Sequence, residues 1–114
     1  MGNRKRSAAL IIDNVYTLWY FNIMFKWNPD KNKILFESRN ITFEEVVQAI
    51  SDGHGISDIP HWNKEKYPHQ RIITVLINEY AYIVPYVMDG EDYFLKTIIP
   101  SRKANRIIEE IRNE

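Results

Sequence analysis

The chain has 114 residues, with 15 Lys and Arg against 15 Asp and Glu, no cysteine and 45% apolar side chains. There is material for one core, and the composition excludes a disulfide framework, a thiolate metal site and a disordered polymer. The zero net charge also excludes a broadly basic nucleic-acid surface, so any such contact has to rest on a local cationic patch.

Residues 1–23 stand apart from the rest. They hold Arg4, Lys5 and Arg6 against Asp13 alone, which leaves 12 basic and 14 acidic residues to the other 91. A basic start before the apolar run from Ala8 to Phe25 has the outline of a signal peptide, without a small-x-small cleavage site. As a membrane span the run falls short of about 20 residues and is interrupted by Asp13, Asn14 and Asn22. Residues 1–23 are therefore read as an appended or mis-assigned segment before a domain spanning 24–114, with a membrane-surface anchor as the other reading.

From Met24 the punctuation is clear. Phe25-Lys26-Trp27 reads as a short strand, with Trp27 in the core. Asn28-Pro29-Asp30 starts a helix, with a capping Asn, Pro in the first turn and an acid behind it; Ser38 lies near its end and Asn40 is a left-handed stop. Thr42-Phe43-Glu44-Glu45 is a capping box before an apolar face of Phe43, Val46, Val47 and Ile50, and this helix ends near Asp52-Gly53. Gly53 to Gln70 is a long polar connection holding all three histidines, His54, His61 and His69. Three strands follow: Arg71 to Ile77, Tyr80 to Val87 after an Asn78-Glu79 turn, and Tyr93 to Ile99. Pro85 cannot donate to a ladder and implies an edge strand or a bulge. The expected fold is α+β: a short N-terminal strand, two helices, a three-stranded antiparallel meander and a C-terminal helix.

The run Phe94 to Ala104 carries the strongest chemical signal. An apolar strand leads into Pro100-Ser101, with Ser101 as N-cap and Ala104, Ile107, Ile108 and Ile111 on one face of the helix beyond. Arg102 and Lys103 then sit in its first turn, where cations cost on the order of 0.3–1 kcal/mol. Exposed N–H groups, a hydroxyl and two cations form a place to hold a phosphate.

These segments resemble the BrnT-type toxins of type II toxin–antitoxin systems, which have a RelE-like fold. Met24-Phe25-Lys26-Trp27-Asn28-Pro29-Asp30-Lys31-Asn32 resembles their opening strand and Lys/Asn-rich helix, and Ile41-Thr42-Phe43-Glu44-Glu45-Val46 their next segment. Ile98-Ile99-Pro100-Ser101-Arg102-Lys103-Ala104 resembles their closing run, with Pro-Ser where Ser-Ala is usual. The likeness covers residues 24–114. It implies a cytoplasmic endoribonuclease that needs no metal or other cofactor and halts growth until a small DNA-binding antitoxin neutralises it. Contact with DNA would run only through that antitoxin. Two departures stand out: Lys96 replaces an Arg and loses its bidentate fork, and the connection from His61 to Arg71 is longer than usual.

Metal-independent RNA cleavage needs a base for the 2′-hydroxyl, an acid for the leaving 5′-oxygen and cations for the phosphorane, and leaves a 2′,3′-cyclic phosphate. Arg102 is the first candidate for the phosphate clamp, beside Ser101, Lys103 and Lys96, with Arg71 as a second clamp. His61, His69 and Lys64 are the candidates for proton transfer, and Lys66 and Trp62 for RNA contact. Tyr80, Tyr82 and Tyr86 share a strand face, to stack bases or to pack beneath a helix. The rival reading is an inactive RelE-like module that binds a small partner protein, favoured by the net charge of −2 over residues 24–114 and the lack of a paired acid and base.

Overall fold

The structure is a computed structural model that describes residues 9–12, 15–18 and 23–113. In chain order the elements are β1 (Ala9–Ile12), β2 (Val15–Leu18), β3 (Ile23–Lys26), α1 (Pro29–Arg39), α2 (Phe43–Ser51), β4 (Gly55–Pro60), β5 (Gln70–Ile77), β6 (Tyr80–Asp89), β7 (Asp92–Leu95), β8 (Ile99–Pro100) and α3 (Arg102–Arg112). The fold is α+β, and among the described residues the strands form one eight-stranded sheet in the order β1-β2-β3-β7-β6-β5-β4, with β8 also pairing β6. Among the described residues only the β3–β7 pair is parallel. No helix among the described residues is long and apolar enough to cross a membrane.

Local signals set the first two helices. Asn28 Oδ1 accepts the N–H groups of Asp30 and Lys31 at 2.8 and 3.1 Å, and Asn40 ends α1 in the left-handed region at φ 55°. Thr42 and Glu45 form the reciprocal capping box of α2. Asn32 ties the helices together by donating to Glu44 and accepting the Phe43 N–H, both at 2.8 Å. Phe43, Val46 and Val47 of α2 then meet Ile73, Val75 and Ile77 of β5, Val84 and Tyr86 of β6, and Leu95 of β7 in the core. Trp27 joins them, its ring centroid 5.6 Å from that of Phe43.

Four expectations need correction. The connection from Gly53 to Gln70 contains β4, which pairs antiparallel with β5, so the meander has a fourth strand. β4 is exposed at every position, which removes the alternation that would mark it as a strand. The predicted strand over Tyr93 to Ile99 is broken: β7 ends at Leu95, and β8 pairs β6 in a register shifted by one residue. Pro85 is not on an edge but on an inner strand, paired with Ile72; the irregularity it implied is present beside it, as the one-residue shift between β7 and β8. Its carbonyl accepts the Lys96 N–H at 2.8 Å, so its missing donor faces the same side, between the stretches that pair β7 and β8, where no ladder bond is needed. Fourth, β3 is not an isolated N-terminal strand, because β2 pairs with it and β1 with β2. Residues 1–8, 13–14 and 19–22 of the segment read as appended lie outside the described residues.

Candidate functional site

Three successive strands bring one polar group each to the end of the core-facing side of the sheet. Arg71 on β5 lies directly opposite Tyr86 on β6, and Asp58 on β4 lies diagonally across from Arg71. Arg71 Nε donates to Asp58 Oδ1 at 3.0 Å, and a terminal guanidinium nitrogen donates to the Asp58 carbonyl at 2.9 Å. The Tyr86 hydroxyl lies 2.9 Å from both Asp58 carboxylate oxygens. Tyr86 itself is only 2% exposed. Burial, then the hydrogen bond to Asp58, push its hydroxyl up to about 12. The Asp58 contact raises the Arg71 guanidinium still further above neutrality. The Arg71 and Asp58 side chains remain 42% and 44% exposed, so solvent and solutes reach both.

A cleft of about 370 Å³ opens beside this group, lined by Phe25, Ile50, Ile56, Ser57, Asp58 and Tyr93 among others. Two of its lining rings, Phe25 and Tyr93, are centred 5.4 Å apart, and Tyr93 stacks in turn on Tyr86 at 5.1 Å.

The connection from β4 to β5 is a closed loop. The His61 N–H donates to the Gln70 carbonyl at 3.0 Å. Its Nδ1 accepts the Asn63 N–H at 3.0 Å, which assigns the neutral ring its hydrogen on Nε2. The buried His61 ring also packs between Trp62 and Tyr67, both centred 4.6 Å away. His61 therefore holds the loop together. Asn63 Oδ1 accepts the Lys66 N–H at 3.1 Å, and the Lys66 ammonium sits 5.3 Å above the Tyr67 ring. Trp62, Lys64, Lys66 and His69 are exposed around the loop.

A second group surrounds the start of α3. Ser101 is its N-cap, accepting the Ala104 N–H at 3.1 Å. The Asn105 carboxamide accepts the Ala81 N–H at 2.8 Å and donates to the Ala81 carbonyl at 3.1 Å, as a neighbouring strand would. Arg39 donates to the Ile98 carbonyl in the irregular stretch before β8. Lys96 lies apart from this group: its N–H meets the Pro85 carbonyl, one residue from the Tyr86 row, and its ammonium sits over the Phe94 ring at 5.3 Å. Lys96, Arg102 and Lys103 are exposed and make no ion pair among the described residues.

No protein-family model, curated protein or solved structure matches this chain.

The predicted site residues thus fall into two places. Arg71 is level with Tyr86, whereas Pro100, next to Ser101, is level with Tyr82. Four residues of strand separate these rows, roughly 13 Å, so Arg71 and Arg102 do not converge on one phosphate. Asp58, Tyr86, Arg39 and Asn105 are the additional polar residues of the two groups. Tyr86 belongs to the tyrosine stripe, which packs beneath α2 at Tyr86 and Val84 and emerges at Tyr80. Asp58 carries no sequence signal of its own, since its neighbours are irregularly polar and apolar. Chemically, the first group offers a carboxylate beside a guanidinium in an apolar cleft. The second offers uncompensated positive charge.

Proposed function

We propose that this protein is the toxin of a type II toxin–antitoxin pair, a RelE-like endoribonuclease that acts in the cytoplasm without metal or other cofactor. The observation that carries this reading is the pair of exposed cations without an ion-pair partner, Arg102 and Lys103, in the Ser101-capped first turn of α3. In a chain of zero net charge, such a group suits the phosphates of an RNA strand, with Arg102 as a two-pronged clamp and the α3 amides behind it. A small DNA-binding antitoxin would neutralise the protein by covering this surface. The test is growth after induction of the full chain beside an Arg102→Ala variant at equal abundance. Arrest by the native chain, relieved by the substitution, is the expected outcome; arrest without relief removes Arg102 from the RNA contact, and no arrest from folded protein defeats the toxin reading.

A non-enzymatic partner-binding module is the second reading. It is favoured by α3, which buries none of its residues and leaves Ile107 and Ile111 47% and 63% exposed. Purified protein that binds a partner or RNA and never cuts RNA would decide for it.

A further inference from the structure

We infer that Asp58 is the general base of the cleavage reaction and that Arg71 holds the scissile phosphate beside it, with the reacting nucleotide in the cleft lined by Ile56, Ser57 and Tyr93. This rests on the ribonuclease reading above and gives it a base other than His61. His61 Nδ1 already accepts a backbone N–H.

Metal-free cleavage needs an accessible proton acceptor next to a cation. Asp58 and Arg71 satisfy both demands at 3.0 Å, each half exposed. An ordinary strand-end ion pair is worth about 0–1 kcal/mol and needs no further support. Here a fully buried tyrosine spends its hydroxyl on the same carboxylate, at 2.9 Å from each oxygen. This fixes the carboxylate in position before any substrate arrives. Oδ1 also accepts from Arg71, so Oδ2 keeps the spare acceptor capacity. Arg71 uses Nε and one terminal nitrogen on Asp58, which leaves the second terminal nitrogen outside those contacts.

In the reaction, Asp58 takes the proton of a ribose 2′-hydroxyl as the 2′-oxygen forms its bond to phosphorus. The bond from phosphorus to the 5′-oxygen breaks, and that oxygen takes a proton from water. The hydroxide left behind recovers the proton from Asp58. The products are a 2′,3′-cyclic phosphate and a 5′-hydroxyl. Tyr86 acts through Asp58 and is a positioning residue.

The full chain is assayed on RNA and on nucleoside 3′-nitrophenyl phosphates, whose leaving group departs without an acid and so isolates the base. Asp58→Asn is expected to lower kcat on both substrates at least about 100-fold, the usual contribution of a positioned base, with its unfolding transition retained. Tyr86→Phe, which keeps the ring, is expected to lower kcat about tenfold and to leave KM unchanged; this readout stands even if Asp58→Asn fails to fold. RNA cleavage at wild-type rates by folded Asp58→Asn, or by Tyr86→Phe where Asp58→Asn fails to fold, overturns the inference and leaves the ribonuclease reading intact. Turnover of the aryl esters without RNA cleavage, lost in Asp58→Asn, supports the base and defeats the RNA reading. Inactivity of the native chain on both substrates overturns both.

Discussion

α2 and α3 both present an apolar stripe at helical spacing, and the fold uses them in opposite ways. α2 buries Phe43, Val46, Val47 and Ala49 against the sheet and is fixed at its start by a full capping box. α3 buries no residue and is held by polar groups, Ser101 and Asn105 against the backbone of Ala81. An apolar period therefore marks a helix but not what covers it. In α2 the stripe is consumed by the protein's own core. In α3 it is half covered at Ala104 and Ile108 and open at Ile107 and Ile111.

The contrast predicts unequal costs for truncation. Phe43→Ala in α2 should destabilise by about 3–5 kcal/mol, because it removes a fully buried ring that also touches Trp27. Thermal unfolding of the full chain measures it, and a loss below about 1 kcal/mol would show that α2 is not a core element. Asn105→Ala should cost less, about 1–3 kcal/mol, since it leaves the N–H of Ala81, a fully buried residue, without its partner. Its distinguishing mark is local. Amide exchange should accelerate through α3 while β5 stays protected, whereas uniform acceleration would mean that α3 is part of the global folding unit.

The same division explains what the sequence made legible. α1 and α2 can be read because their signals are local: Asn28-Pro29, Asn40 and the Thr42–Glu45 box each act within one turn. The Asn78-Glu79 turn is similar, since both residues adopt positive φ, at 53° and 65°. β4 could not be read, because an exposed strand needs no alternation. Pro85 is legible in part: it signals an irregularity in the ladder, but whether at an edge or inside the sheet depends on which strand runs beside it, which no neighbouring residue encodes. The candidate site inherits both limits. Arg71 and the Ser101–Lys103 run are visible as residues, but the Asp58–Arg71–Tyr86 group exists only once β4 is paired to β5 and β5 to β6.

Tyr86 allows this pairing to be tested by pH. Its hydroxyl stays protonated up to about 12 in the folded chain, whereas an unfolded tyrosine ionises near 10. The unfolded state thus releases its proton first. The Tyr86 contribution is fully present below pH 10 and is lost as pH rises through 12, on the order of 2 kcal/mol in all. Wild-type stability should fall across this window more steeply than that of Tyr86→Phe, so the gap between them closes. Parallel curves would mean that Tyr86 titrates normally and is not buried against Asp58.

The smallest effect belongs to the open part of the α3 stripe. Ile111→Ala should change stability by no more than about 0.5 kcal/mol, because a side chain 63% exposed in the folded chain gives up little contact when truncated. A null result of this kind is informative only beside the large loss at Phe43. Both residues belong to the apolar faces of their helices, Phe43 in the first turn of α2 and Ile111 in the last turn of α3, so a matching loss would mean that α3 is covered by the chain itself. If Ile111→Ala is silent for stability yet weakens growth arrest or its neutralisation, the stripe is a contact surface for another molecule. Its apolar spacing would then be explained by binding, as that of α2 is by the core.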